Sequence, residues 1–205
     1  MSKRTEQISG THQRIVDAAV TLHGSVGPAR TTIAGIAEKA GVTRLTVYRH
    51  FPDDEALFSA CSSHWLSQQQ LPDPAAWSGH ADPLGRLTAG LSDLYRFYRE
   101  GEAMLTRIYA DWDALPQTHR TELESRNAYF RDVLLEPFFE PNRNPRLRAT
   151  LSHGISFWTW RSLCHDNGLS NHDAVEIMST LITTTVGAAV KSDPPRRENA
   201  GVRRP

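Results

Sequence analysis

The chain has 205 residues, equal numbers of acidic and basic side chains (23 each) and 39% hydrophobic residues. That is long enough for a substantial core, and no apolar run approaches the ~20 residues of a membrane span. Two distant cysteines, Cys61 and Cys164, exclude a disulfide framework and a cysteine metal site, and read as thiols in a reducing compartment. The zero net charge hides an asymmetry. Residues 1–50 carry seven Lys and Arg against three acids, residues 51–190 eleven against eighteen, and residues 191–205 five against two. A basic end on an acidic body attracts phosphate at one face only.

Residues 1–10 are polar and are expected to form a flexible arm, with Lys3 and Arg4 near its start. This beginning lacks an apolar segment, so no export signal is expected and the predicted location is cytoplasmic. Ile15, Ala18, Ala19 and Leu22 recur at helical intervals over 11–23, and Gly24, Gly27 and Pro28 are expected to end that helix. Thr32 then suits a helix N-cap. Ile33, Ile36, Ala37 and Ala40 form one apolar face behind it, and Gly41 suits a left-handed stop. Thr43 can cap the next helix, with Val47 and Phe51 inward. Arg44, Leu45, Thr46, Tyr48, Arg49 and His50 face outward, a surface that is cationic, hydroxylated and aromatic. Helix, glycine turn and helix with such a face is the helix-turn-helix solution for placing side chains in a DNA major groove.

Asp53 caps a fourth helix continued by Leu57, Cys61, Trp65 and Leu66. The proline-rich stretch 71–83 reads as a loop. Leu84, Leu87, Leu91, Leu94, Tyr95 and Tyr98 mark a helix ending near Gly101. A short helix follows with Met104, Leu105, Ile108, Tyr109 and Trp112, stopped at Pro116. A longer one carries Leu123, Phe130, Val133, Leu134 and Phe138. Two long helices, about 146–165 and 171–191, close the fold, and the tail 192–205 is expected to be disordered and basic. No convincing strand appears. The prediction is all-α, about nine helices, with a head at 1–58 (helix-turn-helix about 32–51) and a second domain at 59–191.

The segment resembles the TetR family of bacterial transcriptional regulators. The resemblance rests on Thr31-Thr32-Ile33, Ile36-Ala37, Ala40-Gly41-Val42-Thr43, Thr46-Val47-Tyr48-Arg49-His50-Phe51-Pro52 and Glu55-Ala56-Leu57-Phe58. It implies a three-helix head joined through the fourth helix to a helical domain that binds a small-molecule effector and dimerises. It further implies a repressor released from DNA by its ligand. Combined with side-chain chemistry, it assigns DNA contact to Thr32, Thr43, Arg44, Leu45, Thr46, Tyr48, Arg49 and His50. Arg44 is the first choice for pairing with a guanine edge. One recognition helix reads too few base pairs to specify a site, so a homodimer on a palindromic operator of duplex DNA is expected. Two departures from the family pattern stand out: Asp54 occupies a position where a phosphate-binding lysine is common, and Gly35 replaces a better helix former.

The last two helices are apolar on more than one side. Leu151, Ile155, Trp158, Met178, Leu181, Ile182 and Thr185 are the predicted dimer surface. Tyr95, Tyr98, Met104, Arg107, Trp112, Phe130, His153, Phe157, Trp160 and Arg161 are the predicted ligand-pocket set, with an apolar or aromatic ligand preferred. No two of the nine histidines have helical metal spacing, so neither metal nor cofactor is expected. No nucleophile motif, phosphate loop or carboxylate pair points to catalysis. Two alternatives remain: an all-α enzyme using a Cys/His site around Cys164, His119, His153 and His165, and a DNA-binding protein without a ligand.

Overall fold

The computed structural model describes the backbone of residues 3–138 and 144–190, and side chains within 8–138 and 144–185. The expected tail at 192–205 lies outside the described residues. Eleven α-helices and no strand occur among those described, so the all-α expectation holds with two more helices than foreseen. No helix among them is long and apolar enough to cross a membrane.

The head comprises α1 (Lys3–Val26), α2 (Ile33–Ala40) and α3 (Arg44–His50). Its core is Ile15, Val16, Ala18 and Ala19 of α1, Ile36, Ala37 and Ala40 of α2, Val47 and Phe51 around α3, and Leu57 and Cys61 of α4 (Asp54–Ser67). The short helices depend on their ends. Gly41 is left-handed at φ 67°. Its amide donates to Glu38 O at 3.1 Å and that of Val42 to Ala37 O at 2.9 Å, which satisfies carbonyls that the helix end would otherwise leave open. Asp53 accepts from Ala56 N at 2.7 Å and starts α4.

The body holds α5 (Pro74–Ser78), α6 (Pro83–Glu100), α7 (Glu102–Ala110), α8 (Gln117–Leu135), α9 (Pro145–Gly154), α10 (Phe157–Arg161) and α11 (Asn171–Val190). α6 runs through its middle, with Leu87, Leu91, Leu94, Tyr95, Phe97 and Tyr98 all buried. α6 and α9 both pack on α11, and α1 packs along α7, which ties head to body.

Three expectations are corrected. Residues 3–10 belong to α1 rather than to a flexible arm. The packed segment supplies the costly first turn, and nothing stops propagation toward the N-terminus. The helix also runs past Gly24 to Val26 and stops at Gly27, whose φ of 88° breaks it. Second, the stretch 71–83 contains α5. There Trp77 is buried and its indole N–H donates to Asp93 Oδ2 at 2.8 Å, so a long-range contact overrides loop-like composition. Third, the helix expected over 146–165 is broken after Gly154 and ends in a π-helical turn, Ser162–Asp166. The Tyr95 hydroxyl donates to Gly154 O at 2.8 Å and that of Tyr98 to Ile155 O at 2.6 Å. The break is therefore held by donors from α6. Burial pushes both phenols well above their ordinary titration range and keeps them protonated donors.

Tyr98→Phe should leave the Ile155 carbonyl without this donor and cost about 1–3 kcal/mol. A thermal melt should show the midpoint fall by several degrees, with helical content retained. An unchanged midpoint would remove this bond from the account of the break.

Candidate nucleic-acid interface and adjoining cavity

α3 is seven residues long, too short to persist alone. Val47 is its inward anchor, with no exposed surface, and Phe51 closes the end at 4% exposure. This fixes the opposite face. Arg44 and Arg49 are exposed, Leu45 is 77% exposed and Tyr48 is 52% exposed. Carbon-rich side chains of that exposure beside two guanidinium groups form a surface suited to base edges and phosphates.

The threonines serve local structure as well. Thr32 Oγ1 accepts from Gly35 N at 3.1 Å and caps α2. Thr43 Oγ1 accepts from Thr46 N at 3.1 Å, and the two hydroxyls lie 2.9 Å apart. Each cap uses a lone pair of the hydroxyl. Thr32 can still offer its O–H outward, and one hydroxyl of the paired Thr43 and Thr46 can do the same. His50 is half-buried near His12, whose ring packs on Phe51 at 4.7 Å. Desolvation first, then His12 and Arg49, lowers the His50 pKa and favours its neutral form. Asp54 is exposed in the first turn of α4, where acids complement the helix dipole.

A cavity of about 200 Å³ adjoins the head. Its wall comes from four helices: Val20 and His23 of α1; Phe58, Cys61, Ser62, Trp65 and Leu66 of α4; Met104, Leu105 and Ile108 of α7; and His119, Glu122, Leu123 and Arg126 of α8. The Phe58 ring sits against both histidines, 5.2 Å from His23 and 4.5 Å from His119 between centroids. Burial lowers the His23 pKa to about 4, so this imidazole is neutral near pH 7. Burial also pushes the Cys61 thiol up to about 12, which makes it a poor nucleophile.

Of the predicted ligand set, only Met104 lines this cavity. Tyr95, Tyr98, Phe130, Phe157 and Trp160 are packed in the body core. Trp112 stacks on Tyr109 with an interplanar angle of 2°. Arg107 and Arg161 border an open groove with His165, and Arg161 pairs with Asp166 at 3.2 Å. His153 is exposed, with its ring 3.3 Å from Thr159 Oγ1. Sequence reasoning did not place His23, Phe58, His119 or Arg126 in the ligand pocket, and His119 entered only in the Cys/His alternative. A usable signal was present in α4, where Phe58, Ser62 and Trp65 recur at helical spacing beside the stripe Leu57 and Cys61 that serves the head.

The predicted dimer residues divide. Leu151, Ile155, Met178 and Ile182 are buried in the chain's own core. Trp158 and Leu181 are 44% and 47% exposed, joined by Ile177 at 44%, and Thr185 is half-buried. One cluster with metal-ligand chemistry occurs among the described residues, His172, Asp173 and Glu176. It is exposed, and Asp173 is already engaged by the Ser170 hydroxyl at 2.7 Å.

Comparison with known proteins places these features. Residues 15–61 match the family model of bacterial regulatory proteins, tetR family. The chain is 42% identical over 91 residues to the HTH-type transcriptional regulator AcrR of Shigella flexneri, covering 42% of this chain and 41% of that protein. It is 38% identical over 87 residues to the HTH-type transcriptional regulator TtgR of Pseudomonas putida, with 42% and 41% covered. The matched stretch thus spans less than half the length of these curated relatives. In fold, the chain is similar to a TetR-like transcriptional regulator from Rhodococcus sp. RHA1, with a TM-score of 0.62 and 17% identity over 89% of this chain and 97% of that one. It is also similar to NalD, the secondary repressor of the MexAB-OprM multidrug efflux pump in Pseudomonas aeruginosa, with a TM-score of 0.52 and 23% identity over 90% and 98% of the two chains. At those identities the structural likeness speaks to the fold alone, whereas the family model falls on the head and the start of α4. The head segment 15–61 thus matches the tetR family of bacterial regulatory proteins, and the chain as described shares the all-helical fold of TetR-like regulators.

Proposed function

We propose that this chain is a cytoplasmic, ligand-responsive transcriptional repressor that binds a palindromic operator in duplex DNA as a homodimer. The observation that carries this reading is the outward face of α3, where Arg44, Leu45, Tyr48 and Arg49 stand in solvent while Val47 is wholly buried. Arg44, at the first position of α3, suits a paired contact to guanine O6 and N7. Leu45 can cover a thymine methyl. Thr46 and Tyr48 carry hydroxyls for base edge or phosphate, and Arg49 suits phosphate. Thr32 can donate a hydroxyl proton to phosphate while still capping its helix, and one hydroxyl of the paired Thr43 and Thr46 can do the same. His50 enters as a neutral donor, consistent with its lowered pKa. Repression is favoured by the name of NalD, a repressor of similar fold.

Dimerisation is assigned to the exposed apolar surface of Trp158, Ile177 and Leu181. Two such surfaces facing one another across a two-fold axis bury apolar carbon that a single copy leaves in water. Two heads about 34–36 Å apart then meet successive major grooves. The small-molecule site is assigned to the cavity between α1, α4, α7 and α8. A ligand there touches α1 and α4, both of which also contribute to the head core. Differential binding to the two head arrangements shifts their equilibrium, and DNA must weaken the ligand in return.

Arg44→Ala should weaken binding to a site-selected palindrome by about 1–3 kcal/mol and relax preference at one base pair per half-site. Fluorescence anisotropy across single-base variants checks this, and intact preference would remove Arg44 from base reading. Leu181→Arg should convert the protein to monomer in sedimentation experiments and lower operator affinity without loss of helicity. A dimer that persists unchanged would move the interface elsewhere. Because coupling is reciprocal, any compound that raises the melting temperature through the cavity should release the operator. Stabilisation without release would leave DNA binding and overturn the sensor.

A further inference from the structure

The geometry points to a small aromatic carboxylate as the ligand of the cavity between α1, α4, α7 and α8; this rests on the reading of that cavity as the effector site. The size comes first. An apolar cavity of about 150 Å³ accepts benzene, so about 200 Å³ suits one ring with a small substituent. The walls are aromatic on several sides, with Phe58, Trp65, His23 and His119 presenting rings beside Met104, Leu105, Ile108 and Leu123. An apolar ring is at home there.

The carboxylate is argued from what the walls leave unpaired. Among the described residues, five buried side-chain nitrogen or oxygen atoms have no hydrogen-bond partner, and two of them, His119 Nδ1 and Arg126 Nε, belong to cavity-lining residues. His119 and Arg126 are seven residues apart on α8, two turns along one face. Arg126 donates to the Tyr109 hydroxyl at 3.2 Å and lies 5.9 Å from the Phe130 ring centroid. Among the described residues it pairs with no carboxylate. Arg126 thus borders the cavity as a cation with no anionic partner among them, and an anion in the cavity would compensate that charge.

Ligand classes separate on this point. A cation would meet Arg126 with like charge. A neutral ring would fill the apolar volume and leave the guanidinium uncompensated. A dianionic phosphate would bring two charges to a site with a single arginine. A carboxylate matches the planar fork of the guanidinium with two parallel bonds. Glu122 also borders the cavity and opposes an anion; its exposure reduces that opposition and leaves it measurable at low ionic strength. That residue gives the assignment a second sign to test. Removing the cation should weaken a carboxylate, and removing the acid should strengthen it.

The experiment is titration of the full-length protein with benzoate, benzamide and benzyl alcohol, followed by ligand-observed NMR and calorimetry. Benzoate should bind at least tenfold more tightly than either neutral analogue. Arg126→Gln should abolish that preference while benzyl alcohol binds as before, and Glu122→Gln should tighten benzoate alone. Glu122 is on the surface, so its variant reports even where Arg126→Gln does not fold. Benzoate binding no tighter than benzyl alcohol, no binding of any of the three, or a Glu122→Gln variant that leaves benzoate unchanged would each overturn the assignment. Operator affinity without ligand is measured in parallel. Operator binding released by a neutral aromatic and not by benzoate sinks the carboxylate and leaves the repressor standing. Benzoate binding by a protein with no affinity for duplex DNA sinks the repressor and leaves the site.

Discussion

The burial of Val47 is the constraint on which the head depends. α3 is too short to be stable by propensity, and Thr43 and Phe51 can only define its ends. With Val47 fully enclosed in the cluster shared by α1, α2 and α4, the rotation of α3 about its axis is fixed. Leu45 and Tyr48 are then forced outward. The polarity of the outer face is a consequence of where one apolar side chain goes, and a polar group at Val47 would disturb the orientation of every proposed DNA contact on α3 at once.

The same economy appears in α1 and α4. Each has two working faces. Val16 and Ala19 enter the head core, whereas Val20 and His23, one turn on, border the cavity. In α4, Leu57 and Cys61 serve the head, and Phe58, Ser62 and Trp65 serve the cavity, with Cys61 reaching both. A second tie runs through the turn after α1. Asp111, beyond the end of α7, accepts from Ala29 N at 3.0 Å, and a Cβ at Gly27 would lie 2.3 Å from its Oδ2. Head and body therefore meet through both packed helices and a polar clasp. In the proposed mechanism, displacement at the cavity wall has no soft linker in which to dissipate.

What could be read from the sequence followed the range of the interactions. Thr32, Gly41, Thr43 and Asp53 act on neighbours within a few residues, so the head's helix ends were legible from local chemistry, and the motif around Tyr48-Arg49-His50-Phe51-Pro52 was recognisable as a unit. The break after Gly154 was not legible, because the hydroxyls that hold it come from Tyr95 and Tyr98, nearly sixty residues earlier. α5 was missed for the same reason: Trp77 is secured by Asp93 on another helix. The candidate cavity was the hardest part. Aromatic residues marked the body correctly as rich in rings, but Tyr95, Phe157 and Trp160 fill its core, while the open wall belongs to His23 and Phe58, which were assigned to the head and connector. Periodicity finds the face of a helix that is buried, and cannot tell a filled interior from one with space left in it.

The exposure of Leu45 and Tyr48 has a thermodynamic consequence. Between the guanidinium groups of Arg44 and Arg49 they hold apolar carbon in contact with water. Any surface that seals against this face dehydrates that carbon, and such dehydration lowers the heat capacity of the complex. Loose contact with a polyanion through the arginines alone would leave the carbon wet and respond mainly to ionic strength. The two modes of association thus differ in their temperature curvature, and two uncharged side chains account for the difference.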